Sequence, residues 1–275
     1  MRIIADLHVQ VRRGPAEGPV AAQVSAALVR GLEAVALFAP HSPAALPVLR
    51  AVRAIDARTP TLRVLSGVSC RILSPEGDLR LHTRAGREHD LVLAVAAPQV
   101  ATALARWVPR YRPAASRALT DAVVAAVYRH DVDLVALPAR PEVDPAEVAR
   151  ALRDRGVALE VCARRPRPPA ALLRQLARLG VRFAVTSGAG RPEEVGDCGA
   201  AVALLGAAGV PPEQVVNSDR GGLTEWLAAR RRLSDPGGWA DWSRQGGTEG
   251  RERPGGRERR PGDWADWSAQ GGEIH

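Results

Sequence analysis

Lysine is absent from this 275-residue chain, and all 38 basic residues are arginine. Such an exclusive choice, beside heavy use of alanine, glycine and proline, points to a compositional bias of the source genome. The formal net charge of +8 is therefore poor ground for a nucleic-acid partner, which that charge would otherwise suggest. Cysteine is sparse and dispersed, at Cys70, Cys162 and Cys198. That spacing excludes a disulfide framework and a CxxC metal knuckle. Aromatics are scarce, at 4%, and none interleaves with the arginine clusters as a base-stacking platform would require. No stretch approaches the roughly 18 consecutive apolar residues of a membrane span. The opening MRIIADLH has no secretory layout and leads directly into a strand. A cytoplasmic protein is expected.

Aliphatic residues are also missing from one end. Between Ser234 and His275 the only Ile, Leu or Val is Ile274, whereas ten glycines and four of the six tryptophans fall there. A segment of this kind cannot bury enough apolar surface to offset its ordering entropy, so residues 234–275 read as a disordered tail. Within it PGGWADWSRQGG (236–247) returns as PGDWADWSAQGG (261–272). The unit is too short for a solenoid repeat with a core of its own. It reads either as a duplicated linear motif or as a recent DNA duplication in a drifting tail. As a motif, Trp239, Trp242, Trp264 and Trp267 would dock a protein partner bivalently, since exposed tryptophan is unfavourable unless it docks.

Residues 1–233 alternate apolar, β-rich runs with amphipathic helical stretches. The strands are expected at RIIAD (2–6), AVALF (34–38), LRVLS (62–66), DLVLAV (90–95), VDLVAL (132–137), VALEVC (157–162) and VRFAVT (181–186). Near-continuous apolar runs are what a parallel sheet buried on both faces requires. The helices are well punctuated. Asp144, Pro145 and Glu147 form an N-cap, a first-turn proline and a capping-box acid, and Gly156 closes that helix. Pro168 and Pro169 open another, with Leu172, Leu173, Leu176 and Leu179 on one face and Gly180 at its end. Seven strand–helix units in one chain predict an α/β barrel, with its chemistry on the loops that leave the strand C-termini.

Read in order, those loops carry a pattern. IIADLHVQ (3–10), LFAPHSP (37–43), LSGVSCRIL (65–73), DLVLAVAAP (90–98), VDLVALPARP (132–141), ALEVC (158–162) and VTSGAGRPEEVG (185–196) resemble the PHP family, named for polymerase and histidinol phosphatase domains. The resemblance covers essentially all of 1–233 and is closest to the stand-alone phosphoesterase branch. It implies a seven-stranded, distorted TIM-like (β/α) barrel that holds up to three metal ions, commonly zinc. Adjacent cations of that sort polarise a phosphoester and turn a bound water into hydroxide, and they need clustered imidazoles and carboxylates.

Most of those ligands are replaced here inside preserved frames. The HxH motif reads His8 and Gln10. The T-D-H motif reads Ala39, Pro40 and His41, and G-V-E reads Gly67, Val68 and Ser69. The later histidines fall on Ala97 and Leu137, and S-D-A-H reads Ser187, Gly188, Ala189 and Gly190. His8 and His41 thus remain as a vestigial metal pair at neighbouring strand ends, able to hold zinc or another divalent cation only if the residual site works. Otherwise no cofactor is expected. Asp6 is expected to cap a turn just outside the first strand, Glu160 to make local hydrogen bonds, and His82, His89 and His130 to lie on the surface. Cys70 reads as a small buried thiol rather than a nucleophile.

Two further features bear on ligands. Gly188, Gly190 and Arg191 lead from a strand into a helical turn, where backbone N–H groups can hold the anion of a phosphorylated small molecule. Arg12-Arg13, Arg164 to Arg167 and Arg230 to Arg232 would make basic surfaces suited to polyanions or RNA. The function expected on these residues is a degenerate PHP-domain protein, a metal-free pseudoenzyme or ligand-binding scaffold. The alternatives are a metal-dependent phosphoesterase with a reduced site and an RNA-binding relative.

Overall fold

The computed structural model describes residues 1–11, 17–40, 45–79, 89–96, 112–165 and 168–232. All of them lie within the unit Met1–Gly238. Seven parallel strands follow one another around a nearly closed barrel. They are β1 (Ala5–Gln10), β2 (Ala34–Pro40), β3 (Arg63–Arg71), β4 (Leu91–Val95), β5 (Leu134–Ala136), β6 (Ala158–Cys162) and β7 (Phe183–Thr186). The helices are α1 (Glu17–Val29), α2 (Ala45–Asp56), α3 (Arg112–Arg129), α4 (Pro145–Asp154), α5 (Ala170–Arg178), α6 (Gly199–Ala208) and α7 (Arg220–Arg232). This is the α/β, TIM-like architecture that the strand runs imply. Among the described residues no helix is long and apolar enough to cross a membrane.

Strand parity divides the side chains. Val35, Leu37, Val92, Leu159, Val161, Phe183 and Val185 belong to apolar clusters shared with the surrounding helices. Their alternates, including Phe38, Glu160 and Thr186, point the other way, into the lumen, because successive strand residues face opposite sides. Helix punctuation follows the sequence. The Asp144 carboxylate accepts the N–H groups of Ala146 (2.8 Å) and Glu147 (3.1 Å). Pro145 occupies the first turn, and Leu172, Leu173 and Leu176 of α5 are buried.

Several expectations need correction. The first strand runs over Ala5–Gln10, three residues later than RIIAD suggests. The stretch ADLHVQ contains two charged or titratable residues, yet it is almost wholly buried. The fifth strand is only Leu134–Ala136, because Asp133 is bound to the β4 backbone and Leu137 begins the exit loop. The β3–β4 link departs from the strand–helix pattern. Its described part is a turn with an antiparallel bridge between Ile72 and Leu79 and a bond from Leu73 N–H to Asp78 O of 2.8 Å.

The barrel does not close by a direct β1–β7 ladder. Asn217, fully buried, stands between the two strands. Its amide nitrogen donates to Ala5 O and Val185 O, both at 2.7 Å, and its side-chain oxygen accepts from Val185 N at 3.1 Å. Toward the other end of the seam, Gly188 N donates to His8 O at 3.1 Å and Gln10 N to Ala189 O at 2.7 Å. Helix α7 lies against the segments that enter the strands. Arg220 reaches Glu33, Trp226 Nε1 donates to Gly156 O, and Arg230 pairs with Asp133 at 2.9 Å. The strand C-termini are left as the open, chemical end.

Candidate functional site

The site is organised by an irregularity in β1. Pairing with β2 steps from Asp6/Val35 to Val9/Leu37. Two residues, Leu7 and His8, therefore stand opposite the single Ala36. This bulge re-aims the chain, as bulges beside functional sites do. Asp6 keeps the outward register of Val35, while His8 turns into the lumen.

His8 is fully buried. Its Nδ1 lies 2.5 Å from Glu160 Oε1, and the same oxygen accepts the Thr186 hydroxyl at 2.8 Å. The imidazole lies 4.7 Å from the Phe38 ring, centroid to centroid, with the planes tilted by 56°. Phe38 in turn fills the space over Gly67, where a Cβ would come within 2.3 Å of its ring. Gly67 is thus required by packing. His8 Nε2 is buried and, among the described residues, has no hydrogen-bond partner. An imidazole tied to a carboxylate through one nitrogen, with the other open, has the orientation seen in metal-bound and catalytic histidines.

Burial is the largest influence on Glu160 and acts to raise its pKa. The His8 ring, the His8 and Thr186 hydrogen bonds and the charge of Arg165 outweigh it and hold the carboxyl below its ordinary 4.5. The folded state therefore binds this proton more weakly than the unfolded chain does. The stabilisation is complete above the ordinary carboxylate range and is lost as pH falls through the lower folded-state value. Glu160→Gln is expected to flatten the acid limb of a stability–pH profile. It should also remove about 1.5–3 kcal/mol at neutral pH, as for other hydrogen bonds to a charged group. Urea denaturation between pH 3 and 7 checks both.

Asp6 is not the turn cap expected of it. Fully buried within β1, it accepts the Ser187 N–H at 3.0 Å, the Gly196 N–H at 2.9 Å and the Ser187 hydroxyl. Burial pushes its carboxyl above the usual 3.8, against the pull of these donors and of His8 N–H. Its oxygens are thus committed to the loop after β7 and do not face His8's open nitrogen.

The loop after β7 is equally occupied. Gly188, at φ +65°, has no room for a side chain, since a Cβ would lie 2.4 Å from Cys162 Sγ. Gly188 N–H is donated to His8 O and Ala189 N–H to the Ser187 hydroxyl. Gly190 N–H is donated to the Glu194 carboxylate at 3.0 Å. Glu194 also holds Arg164 at 2.8 Å and Arg191 at 3.2 Å. An internal anion therefore sits where the sequence suggested an external one.

Of the other candidates, Cys70 is a buried thiol whose Sγ lies 3.7 Å from Leu93 O. Burial pushes its pKa up to about 12, so a thiolate there is unfavourable. Ser69 is half-buried and His130 is half-buried, 3.1 Å from Gly77 O. His89 is buried, contrary to the surface position expected of it, because it leads directly into β4. Arg230 is also buried, so the Arg230 to Arg232 run is not a free basic surface: the first guanidinium serves Asp133. His41, His82, Ala97, Arg12, Arg13 and Arg167 lie outside the described residues, as do Trp239, Trp242, Trp264 and Trp267.

A trinuclear centre does not fit the donor set on view. Among the described residues, no three His, Cys, Asp or Glu side chains converge as metal ligands would. His8 Nε2 offers one nitrogen, Glu160 is turned to His8, and Asp6 to Ser187 and Gly196. A zinc site needs three or four protein ligands. Sequence reasoning did not place Thr186 or Phe38 in the site, took Asp6 for a turn cap, and noted Glu193 and Glu194 only as acids that would fill the dipole of the turn after Arg191. For Asp6 a signal existed, an acid within the apolar run IIADLHV, where charge survives only if it is paired or hydrogen-bonded.

No family model matches the chain. It is similar to a protein named "Probable phosphatase" from Edwardsiella ictaluri (strain 93-146), with 28% identity over 192 residues, which span 65% of this chain and 73% of that one. A solved organophosphorus hydrolase from Deinococcus radiodurans aligns over 90% of this chain and 87% of its own, with 12% identity and a TM-score of 0.42.

Proposed function

We propose that this chain is a phosphoesterase-type barrel of the PHP kind that binds a phosphate-bearing ligand at its mouth without assembling a trinuclear metal centre. On this reading it is a ligand-binding or regulatory scaffold. The observation that carries the reading is the state of the lumen. His8 is held by Glu160, its one open nitrogen is buried, and the neighbouring acid Asp6 serves the barrel seam. The similarity to the probable phosphatase supports the phosphoesterase-like half of the proposal.

A second reading, a hydrolase with a reduced site, draws on the same dyad. The carboxylate behind His8 is what a single metal ligand would want. Elemental mass spectrometry on chelator-free, tag-free protein separates the two, followed by a phosphoester turnover screen with and without added zinc or manganese. We expect well under one equivalent of transition metal and no metal-stimulated turnover. One equivalent or more, lost in His8→Ala together with turnover, overturns the scaffold reading in favour of the hydrolase.

A further inference from the structure

Loops leaving β6 and β7 bring three guanidiniums to one place at the mouth. Arg164 and Arg191 converge on Glu194, at 2.8 Å and 3.2 Å, and Gly190 N–H donates to the same carboxylate at 3.0 Å. Arg165, half-buried, runs along the inner side of this group. Its Nε lies 3.8 Å from the Cβ position of Gly188, and its charge is felt at Glu160 beneath. Two positive charges thus share one carboxylate, with a third beside the adjoining loop. The Glu194 side chain is mostly covered, at 13% exposure, whereas Arg164 and Arg191 are 42% and 64% exposed. The donors are therefore reachable from solvent while the anion they hold is tucked beneath them.

Converging donors of this kind suit an anion with more acceptor oxygens than a carboxylate has. Guanidiniums bind phosphate in bidentate fashion, and a dianion gains more than a monoanion from a surplus of positive charge. We propose that Arg164 and Arg191, held on Glu194, together with Arg165 beside the 188–190 loop, form a receptor for the phosphoryl group of a phosphomonoester, with Glu194 as a tethered competitor that the ligand displaces. The inference deepens the reading above and rests on it for placing the ligand at the mouth. It also explains why a loop whose amides are spent internally can still serve an anion: the arginines bind it, and Gly190 N–H is released when Glu194 leaves. Because Glu194 is covalently linked to the site, it competes at a high effective concentration. Affinity in the native chain is accordingly modest and tunable by anything that draws Glu194 away.

The test is calorimetric titration of the full-length protein with inorganic phosphate and with phenyl phosphate. Glu194→Gln keeps an oxygen for Gly190 N–H but removes the competing charge, and it should tighten binding about tenfold, a change of one decade in Kd. Arg165→Ala and Arg191→Ala should each weaken binding by about tenfold or more, as expected for loss of a charge-assisted bidentate contact. Arg58→Ala removes an equal charge from the turn that follows α2 and should change nothing. Unaltered or weaker binding in Glu194→Gln overturns the proposal. So does native affinity in both arginine variants, or equal weakening in Arg58→Ala, which would mark a diffuse charge effect. Circular dichroism and thermal melts confirm that each variant is folded. Metal content and turnover are separate readouts: a metal-dependent hydrolase would sink the scaffold reading and leave the arginine result standing, and a silent arginine series would do the reverse.

Discussion

Asp6→Ala should be among the most damaging single substitutions in this chain, destabilising it by about 3–5 kcal/mol, because it strands several buried hydrogen-bond donors at once. The Asp6 carboxylate is the meeting point of Ser187 N–H, the Ser187 hydroxyl and Gly196 N–H, from residues 181 and 190 positions away. Alanine leaves two backbone donors and a hydroxyl buried without it, and each unsatisfied group costs about 1–3 kcal/mol. Asp6→Asn should fall between alanine and the native residue. It keeps one acceptor oxygen for Ser187 N–H but sets an amide NH₂ against the Gly196 N–H. Burial raises the Asp6 pKa, so its own contribution is largest at low pH and declines as pH rises through the folded-state value, the reverse of Glu160. Urea titration at pH 4 and pH 7 should show the penalty of Asn relative to native shrinking toward neutral pH.

Arg230→Ala is the second large effect, with an expected loss of about 3–5 kcal/mol. The guanidinium is buried at the strand-entry end, where it meets Asp133 at 2.9 Å and the carbonyls of Val132 and Arg155. Asp133 also accepts Val92 N–H at 2.7 Å, so the pair connects α7 to both β4 and β5. Removing Arg230 alone strips Asp133 of a buried, charge-assisted contact and leaves the Val132 and Arg155 carbonyls without this donor. Arg230→Met with Asp133→Asn should recover a substantial part of the loss, because a buried pair replaced together is often close to neutral. A double-mutant cycle read by thermal or urea unfolding measures the coupling. An additive cycle would show that the two residues do not act as a unit.

The contrast between these residues and the helices shows what was legible. The seven strands and the caps at Asp144 and Pro169 could be read directly, since apolar runs and capping chemistry are local properties. The strand C-termini were legible as the place to look, and His8 and Glu160 were both singled out there. What could not be read was who meets whom across the ring. His8 and Glu160 are 152 residues apart, and Asp133 and Arg230 are 97. Burial periodicity marks a position as inward but carries no information on its partner. The β1 bulge is the sharpest case. Strict alternation would put Asp6 and His8 on one face, but one extra residue before Val9 parts them, leaving the acid at the seam and the histidine in the lumen. Without it, Asp6 reads as a cap and His8 as the start of a metal motif. The arginine bias hid a further distinction, because Arg230 and Arg164 look alike in sequence, yet one is a buried strut and the other a mouth residue.

Asn217 has a consequence in time as well as in space. A growing chain that has reached residue 186 already contains all seven strands, but the clasp between the first and last arrives thirty residues later. Until then β1 and β7 each present an edge without its clasp, and the closing contact spans 212 positions. Such distant closure is slow, since loop entropy must be overcome before the contact forms. Asp6, His8 and Gln10 bind the loop after β7 at one half of the seam, but at the strand-entry half the clasp is one residue rather than a ladder. Breathing of the mature barrel should therefore begin there, with the amides of Ile4 and Val185 exchanging in concert. A cylinder whose seam is thinly fastened at one end can open there like a cuff without any of its staves coming apart.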